Sequence, residues 1–236
     1  MKSSYGQYCP LALAVELLGR RWMILVISRL FDGCSQFNDI HKGLPRMSPS
    51  LLAQRLGELE DHGVIKRRKL LKQRGYSYHL TASGMALENI IMDIAIWGQH
   101  WGRDMKTEDL DPAFLAWSMH LRMDVEAMPA GRTVIEFLFT GVPHDLDRIW
   151  LMCLDGKIEM CLKNPGYDAD VYVEADIFDF VEAWRGIKDM RQQIKAKKIV
   201  LSGSPAAVKA FPDWLLLSSV AHFKRKKKGK EFNDFG

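Results

Sequence analysis

The spacing of apolar residues in the first part of the chain predicts four helices in succession. Residues 9–18 repeat apolar side chains at helical spacing, and residues 22–33 are apolar on nearly every side, which is typical of a buried helix. Two shorter helices are predicted over residues 35–45 and 47–63, the second with Ser48 as its N-cap. A tight turn rich in Gly and Pro separates the last two helices, and this order indicates a helix-turn-helix motif.

Two strands and a long helix are predicted next. Residues 64–71 and 76–81 have strand character, and the loop between them contains Gly75, so they are expected to form a hairpin. Thr81 is placed to cap one long helix that reaches about residue 103. Helices, helix-turn-helix, hairpin and helix follow one another as they do in a winged helix.

A second folded region is predicted in the C-terminal part of the chain. Its predicted elements are a strand over 133–142, a hairpin over 149–164, a strand over 168–176, a helix over 177–186, and strand, turn and helix over 197–211. The hairpin turns at Asp155-Gly156, which fits a two-residue loop and pairs residue 153 with 158 and residue 150 with 161. This pairing places Cys153 and Cys161 on opposite faces of the sheet. The fold class is therefore α+β.

Composition supports two regions of different character. The chain has 236 residues, 47% of them hydrophobic, and a net charge of +4. The net charge is +5 over residues 1–105, −5 over residues 106–221 and +4 over residues 222–236. A basic first region and an acidic second region are expected to have different partners.

Hydropathy and cysteine content indicate in which cellular compartment the protein is expected. No apolar run reaches the roughly 18 residues that cross a bilayer, and the N-terminus lacks a hydrophobic signal core, so we expect a cytoplasmic protein without a membrane partner. Four scattered cysteines form no C-x-x-C motif, so neither a disulfide framework nor a zinc site is expected.

The helix over 47–63 and the hairpin carry the candidate contacts to double-stranded DNA. With Leu52, Leu56 and Leu59 turned inward, small and polar residues face outward. Six cations occupy residues 66–74 without an acid, a density that suits phosphate binding. The candidate DNA-binding residues are Arg46, Ser48, Ser50, Gln54, Arg55, Arg68, Lys72, Gln73, Arg74 and Tyr76. An ordinary solvated helix face is the alternative for the helix taken alone.

Four motifs in order resemble the HxlR family of bacterial transcription regulators. They are "CPLALAVELLGRRW", "SPSLLAQRLGELEDHGVIKRR", "YHLTASG" and "AIWGQHW", and the resemblance covers about residues 5–103. The wing departs from the family pattern, because it lacks proline and is slightly shorter.

The C-terminal elements, the Asp-Gly hairpin and "LSGSPAAVKAF" resemble the sterol carrier protein type 2-like fold. The predicted organisation is a winged-helix DNA-binding and dimerisation domain over 1–106, a linker and helix over 107–132, a sterol-carrier-like domain over 133–221 and a basic, disordered tail over 222–236.

A homodimer is expected from surplus apolar surface. The predicted long helix shows more apolar surface than one small domain uses, and the alternative is packing within the monomer. The resemblance favours a dimer, and a protein with two-fold symmetry binds a palindromic operator. The candidate interface residues are Leu11, Leu18, Leu87, Ile90, Ile94, Trp97 and Trp101.

Cys9 has two interpretations. A cysteine at the start of a helix is favoured as a thiolate, yet cysteine is also among the most frequently buried residues and is then inert. The resemblance implies that Cys9 is a candidate sensor of oxidants or electrophiles.

The C-terminal region is expected to take a lipid-like effector or none. The sterol-carrier resemblance implies an apolar cavity, while most of the aromatic and methionine side chains of the region are expected to form the core. Known catalytic motifs are absent from the sequence, so neither an enzyme nor a cofactor is expected. The alternative function is a carrier or enzyme for lipids or small molecules, with the winged helix making protein contacts.

Overall fold

The computed structural model describes residues 4–71, 74–143 and 146–226. Its internal contacts divide the chain into two units, Met1–Ile94 and Ala95–Gly236. The division falls inside a helix rather than near residue 106, where the sequence placed the domain boundary.

The N-terminal unit contains the predicted order of elements. These are α1 (Pro10–Leu18), α2 (Met23–Phe31), α3 (Phe37–Lys42), α4 (Pro49–Asp61), β1 (Ile65–Lys69), β2 (Tyr76–Leu80), α5 (Ala82–Met85) and α6 (Glu88–Trp101), whose last turns belong to the second unit. The strands β1 and β2 form an antiparallel hairpin. Buried apolar side chains of α2 and α4 supply much of the core, among them Val26, Ile27, Leu52 and Leu56. The winged-helix interpretation is therefore confirmed.

The predicted helix from Thr81 to residue 103 is two helices. Thr81 does cap a helix, accepting a hydrogen bond from the Gly84 amide, but that helix is the short α5. Gly84 brings α5 against the Val64 carbonyl, where an added Cβ would lie 2.3 Å from the oxygen. The capping residue was predicted correctly, while the turn between α5 and α6 was not.

The C-terminal unit is built on a mixed sheet. Its helices are α7 (Pro112–His120), α8 (Ile177–Trp184), α9 (Met190–Lys195) and α10 (Pro205–Trp214), and its strands are β3 (Arg132–Thr140), β4 (Arg148–Leu154), β5 (Lys157–Cys161), β6 (Val171–Asp176) and β7 (Ile199–Gly203). The described strands lie in the order β5-β4-β3-β6-β7, with β3 and β6 parallel and the other pairs antiparallel. The predicted α+β class is confirmed; the sterol-carrier-like fold stays a prediction.

The core of this unit lies on one face of the sheet. Alternate residues of β3 point to that face, where Phe137 packs with its ring centre 5.8 Å from Phe180 and 6.1 Å from Phe211. Residues of β4, β6 and β7 join the same buried cluster, together with side chains of α7, α8 and α10. Side chains thus fill the space between the sheet and the helices.

The hairpin of β4 and β5 has the predicted register. Asp155 and Gly156 both have positive φ, as a two-residue primed turn requires. Cys153 pairs with Ile158 and Trp150 with Cys161, so the two cysteines lie on opposite faces of the sheet.

Two predicted regions differ in part from the structure. The helix predicted within residues 107–132 is present as α7, but it packs on β4 and β5 with Leu115 and Met119 in the core and so belongs to the folded C-terminal unit. The first residues of the predicted disordered tail are ordered, since the Lys226 amide donates to the His100 carbonyl at 3.1 Å. The rest of the tail, 227–236, lies outside the described residues. In the part of the chain that the structure covers, no helix combines the length and apolar character needed to span a membrane.

Candidate nucleic-acid interface

Helix α4 presents one face to the core and the opposite face to solvent. The Ser48 hydroxyl accepts a hydrogen bond from the Leu51 amide at 3.3 Å and fixes the first turn. The side chains of Leu52, Leu56 and Leu59 are at most 2% exposed, as the sequence predicted. Candidate contacts Ser50 and Gln54 are exposed on the other side of the helix, as are Arg46 and Ser48 at its start.

Glu58 organises the charged side of α4. The Gln54 amide donates to its carboxylate at 2.9 Å, and the guanidinium groups of Arg55 and Arg20 lie 2.9 and 3.2 Å from its oxygens. Burial opposes ionisation of Glu58, but the hydrogen bond from Gln54 and the charges of Arg55 and Arg20 outweigh it, so the pKa of Glu58 is lowered. Sequence reasoning missed Glu58, although its spacing from Gln54 and Arg55 is the i,i+4 and i,i+3 signal of an intrahelical pair.

Arg55 holds the fold together and does not face outward. Its Nε donates to the Arg21 carbonyl at 3.0 Å, its Nη1 contacts Glu58, and its side chain is only 13% exposed. The sequence placed Arg55 at the margin of the buried stripe as a candidate DNA contact, and in the single chain its guanidinium is instead engaged by Glu58 and the Arg21 carbonyl. Its guanidinium joins α4 to the segment between α1 and α2.

The hairpin, here called the wing (residues 65–80), is attached to both helices of the helix-turn-helix. The Tyr78 amide donates to the Ser35 carbonyl at 2.7 Å just before α3. Arg67 lies 3.2 Å from the Glu60 carboxylate of α4, with its guanidinium 4.9 Å from the ring centre of Tyr76. These contacts fix the wing beside α4 as one surface.

The remaining described cations of the wing point to solvent. Lys66 and Arg68 occupy alternate positions of β1 and therefore one face of the hairpin, opposite Arg67. Both are exposed, as is Arg74 near the tip. Tyr76 is 43% exposed despite its contact with Arg67. Two other candidate contacts, Lys72 and Gln73, lie outside the described residues.

Apolar side chains are exposed on α1 and α6. Helix α1 has no buried residue, and Leu11 is 71% exposed. On α6, Ile90, Ile94 and Trp97 are 50%, 46% and 62% exposed. The other candidate interface residues, Leu18, Leu87 and Trp101, are half-buried.

Cys9 is exposed at the start of α1, so the buried interpretation is wrong for the single chain. The backbone N–H groups of Ala12 and Leu11 lower the pKa of the Cys9 thiol. Burial has the opposite effect on Cys34, raising its pKa to about 11, and burial also raises the pKa of Cys161. Of these three cysteines, Cys9 is the one suited to react as a thiolate.

The C-terminal unit has a cleft of about 350 Å³ at its surface. Its lining includes Lys188, Asp189, Met190, Arg191, Leu215 and Leu217. Lys188 and Arg191 are engaged in ion pairs with Glu182 and Asp213. Phe180 and Trp184 do not line this cleft and belong to the core, as was expected for most aromatic side chains of this region. Across residues 4–71, 74–143 and 146–226, His, Cys, Asp and Glu side chains form no group of three that could hold a metal ion.

Comparison with known proteins finds sequences similar to the N-terminal part of the chain. A model of the HxlR-like helix-turn-helix family matches residues 17–106. The uncharacterized HTH-type transcriptional regulator YvaP of Bacillus subtilis is 35% identical over 112 residues, which are 47% of this chain and 96% of that protein.

Solved structures of the regulator YodB from B. subtilis are also similar. Its reduced form is 32% identical over 42% of this chain and all of that chain, with a TM-score of 0.37. Its quinone-bound form is 36% identical over 38% of this chain and 96% of that chain, with a TM-score of 0.34. Sequence identity across nearly the whole of YvaP, together with the family match over the winged helix, shows that this chain belongs to the HxlR-like helix-turn-helix family.

Proposed function

We propose that this protein is a DNA-binding transcriptional regulator that places α4 in the major groove and binds backbone phosphates with the wing. One observation carries the proposal. The outward face of α4 and the exposed cations Lys66, Arg68 and Arg74 belong to elements that hydrogen bonds and an ion pair join into one surface.

Each part of this surface suits a different part of DNA. Gln54 has an amide that can donate to and accept from an adenine edge, and its present bond to Glu58 is an exposed intrahelical contact that a base can replace. Guanidinium and ammonium groups on a hairpin bind phosphates irrespective of sequence. Base choice is therefore assigned to α4, and most of the salt-dependent affinity to the wing.

The proposal is tested by DNA binding at several salt concentrations. A target is selected from a random-sequence library, and the parent is compared with the double variant Arg68→Ala/Arg74→Ala. Loss of two phosphate contacts lowers the slope of log K against log salt by about 1.8 per protomer, at about 0.9 per contact. Gln54→Ala should instead relax discrimination at one base pair, by about 1–3 kcal/mol.

A matched control separates the wing from overall charge. Lys163→Gln/Lys209→Gln removes the same charge from exposed positions of the C-terminal unit and should leave the slope unchanged. A parent protein that selects no DNA sequence, even at low salt, would refute the proposed function.

We propose further that the regulator is a homodimer joined through α1 and α6. Leu11, Ile90, Ile94 and Trp97 are large apolar side chains left at least 46% exposed in the single chain. Burial of such surface against a second copy is favourable by roughly 25 cal/mol per Å². Two-fold symmetry then implies a palindromic operator with one half-site for each α4.

Oxidants or electrophiles are the proposed signal, with Cys9 as the reactive residue. The support is its exposure and its lowered pKa at the helix start. YodB, a similar regulator, has been solved in a quinone-bound form. Modification of Cys9 would act on α1, which is proposed to lie in the dimer interface, and so would alter DNA affinity through assembly.

A further inference from the structure

One oxygen of the Glu58 carboxylate is shared by three donors. Glu58 Oε1 accepts a hydrogen bond from the Gln54 amide at 2.9 Å and another from Arg55 Nη1 at 3.0 Å, and it lies 3.2 Å from Arg20 Nη1. A carboxylate oxygen offers about two lone-pair sites, so three donors at one oxygen compete. Each donor therefore weakens the bond that the others make.

Arg20 reaches Glu58 from the end of α1. Its Nε donates to the Glu16 carbonyl at 2.9 Å, in the last turn of α1, while its Nη1 meets the Glu58 carboxylate of α4. The Glu16 side chain in turn accepts a hydrogen bond from the Tyr5 amide at 2.7 Å, in the segment that leads to Cys9. One guanidinium thus joins α1 to the carboxylate that holds Gln54.

The backbone around Arg20 is fixed by its neighbours. The Arg20 carbonyl accepts from the Met23 amide at 3.0 Å, and the Arg21 carbonyl accepts from Arg55 Nε. The side chains of Arg20 and Glu58 are 32% and 18% exposed, so solvent screens their attraction only in part. Because the turn after α1 is held in this way, a displacement of α1 moves the Arg20 guanidinium relative to Glu58.

We infer that Arg20 is a positioning residue for base recognition, which acts from the end of α1 and weakens the hold of Glu58 on the Gln54 amide. The inference rests on the proposed DNA-binding function, in which Gln54 binds an adenine edge. A base has to replace the bond between Gln54 and Glu58, and that bond is weaker while Arg20 occupies the same oxygen. Withdrawal of Arg20 therefore lowers base discrimination without any contact between α1 and DNA.

DNA binding by the full chain tests the inference. Discrimination is measured as the ratio of the affinities for the selected target and for a target mismatched at the base pair that Gln54→Ala identifies. Arg20→Gln should lower this ratio about 3- to 10-fold, the size of one net hydrogen bond. In the Gln54→Ala background the same substitution should leave the ratio unchanged, because no amide remains for Glu58 to hold.

A purely structural role of Arg20 gives a different result. If Arg20 only stabilised the packing of α1 on α4, Arg20→Gln would lower the affinity for matched and mismatched targets alike, with or without Gln54. An unchanged ratio in Arg20→Gln overturns the inference. An equal fall of the ratio in the Gln54→Ala background also overturns it.

Arg21→Gln is the matched control for charge. It removes the same charge one residue later, from a guanidinium that lies 5.5 Å from the ring centre of Trp22, and it retains the carbonyl that accepts from Arg55. The ratio should be that of the parent. An equal fall of the ratio in Arg21→Gln and Arg20→Gln overturns the inference, because net charge then explains the effect.

The side-chain amide resonances of Gln54 provide a measurement that needs no DNA. With one competing donor fewer, the bond to Glu58 strengthens, so the Gln54 Nε2 proton should move downfield in Arg20→Gln and stay in place in Arg21→Gln. Glu58→Gln keeps the size of the side chain and should move the proton upfield, because a neutral acceptor binds more weakly than a carboxylate. This second variant decides the question if Arg20→Gln does not fold.

The two measurements separate failure of the inference from failure of the proposed function. An unmoved Gln54 proton in folded Arg20→Gln, or a downfield shift in Glu58→Gln, overturns the inference while DNA binding by the parent stands. A parent that selects no DNA sequence refutes the proposed function, whatever the Gln54 resonances show.

Discussion

Gly84→Ala should destabilise the protein, although alanine is the better helix former. Gly84 lies in α5, where an added Cβ would be 2.3 Å from the Val64 carbonyl oxygen and 2.9 Å from Leu80 Cδ2. That carbonyl also accepts hydrogen bonds from the amide and hydroxyl of Thr81. The methyl group can be accommodated only if the backbone before β1 moves away from α5, and this movement weakens both bonds.

Contributions of opposite sign determine how Gly84→Ala changes the free energy of unfolding. Replacing glycine by alanine inside a helix favours folding by about 1 kcal/mol. Overpacking against backbone disfavours it by about 1–3 kcal/mol, and a weakened hydrogen bond adds about 0.5–1.5 kcal/mol. The sum is a net loss of about 0.5–3.5 kcal/mol, measured as the change in urea midpoint of the full chain at constant m.

Gly57→Ala is the matched control on α4. A Cβ at Gly57 meets nothing within 4 Å, so the helix propensity of alanine acts alone and stability should rise by up to about 1 kcal/mol. The two substitutions are chemically identical and should move the midpoint in opposite directions. Gly84→Ala should also weaken DNA binding, because Val64 and Leu80 form the base of the wing. Equal stabilisation by both substitutions would refute the contact of α5 with Val64.

Four other predictions concern separate parts of the molecule. Gln99→Leu removes the acceptor that the buried Gln99 offers to the half-buried Arg185 guanidinium and should lower the free energy of unfolding by about 1–3 kcal/mol, measured by urea denaturation. The hydrogen bond from Lys188 lowers the pKa of Asp179. The stabilisation that ionised Asp179 provides is therefore present at pH values above 3.8, the ordinary pKa, and is lost as the pH falls below that value. Asp179→Asn should make stability depend less on pH in that acidic range, measured as the urea midpoint at a series of pH values. Ile94→Glu places a charge in the proposed interface and should give a folded monomer by sedimentation velocity and circular dichroism, with weakened operator binding. Cys9 should be alkylated in the native protein before the other cysteines, measured by timed peptide mass spectrometry, and Cys9→Ser should retain DNA binding but lose its response to oxidant.

Three of these predictions have a control that shares their chemistry. Gln192→Leu changes an exposed glutamine and should leave stability nearly unaltered, while Asp168→Asn removes an exposed carboxylate outside the Lys188 network. Asn89→Glu adds a charge on another side of α6 and should leave assembly unchanged. Slow labelling of Cys9, or a normal dimer of Ile94→Glu, would contradict the corresponding proposal.

The elements predicted best are those fixed by local chemistry. Ser48 followed by Pro49 specifies the start of α4, and leucines at helical spacing specify its buried face. Asp155 and Gly156 adopt the positive φ values of a two-residue turn, and this turn alone sets the register of β4 and β5. In these cases a few neighbouring residues determine the result, so the sequence was sufficient.

The features that sequence could not predict depend on distant partners. Helical geometry placed Arg55 at the margin of the core, but the carbonyl that turns it inward belongs to Arg21, 34 residues earlier. Charge density in the tail predicted disorder, while Gln99 binds the Phe223 carbonyl, 124 residues away along the chain. Both outcomes follow from the cost of leaving a buried polar group without a partner, which acts on spatial and not sequential neighbours.

Contacts within the fold also lower the number of phosphate contacts that is expected of the wing. If all six cations of residues 66–74 met phosphates, they would contribute a salt slope of about 5.4 per protomer, at about 0.9 per contact. Glu60 and Tyr76 engage Arg67, and Lys69 lies on the same face of β1 as Arg67, so neither lies on the face that Lys66 and Arg68 present. The expected contribution of the wing therefore falls to at most about 3.6. Replacing Arg67 should accordingly disturb the attachment of the wing to α4 more than it reduces the number of phosphate contacts.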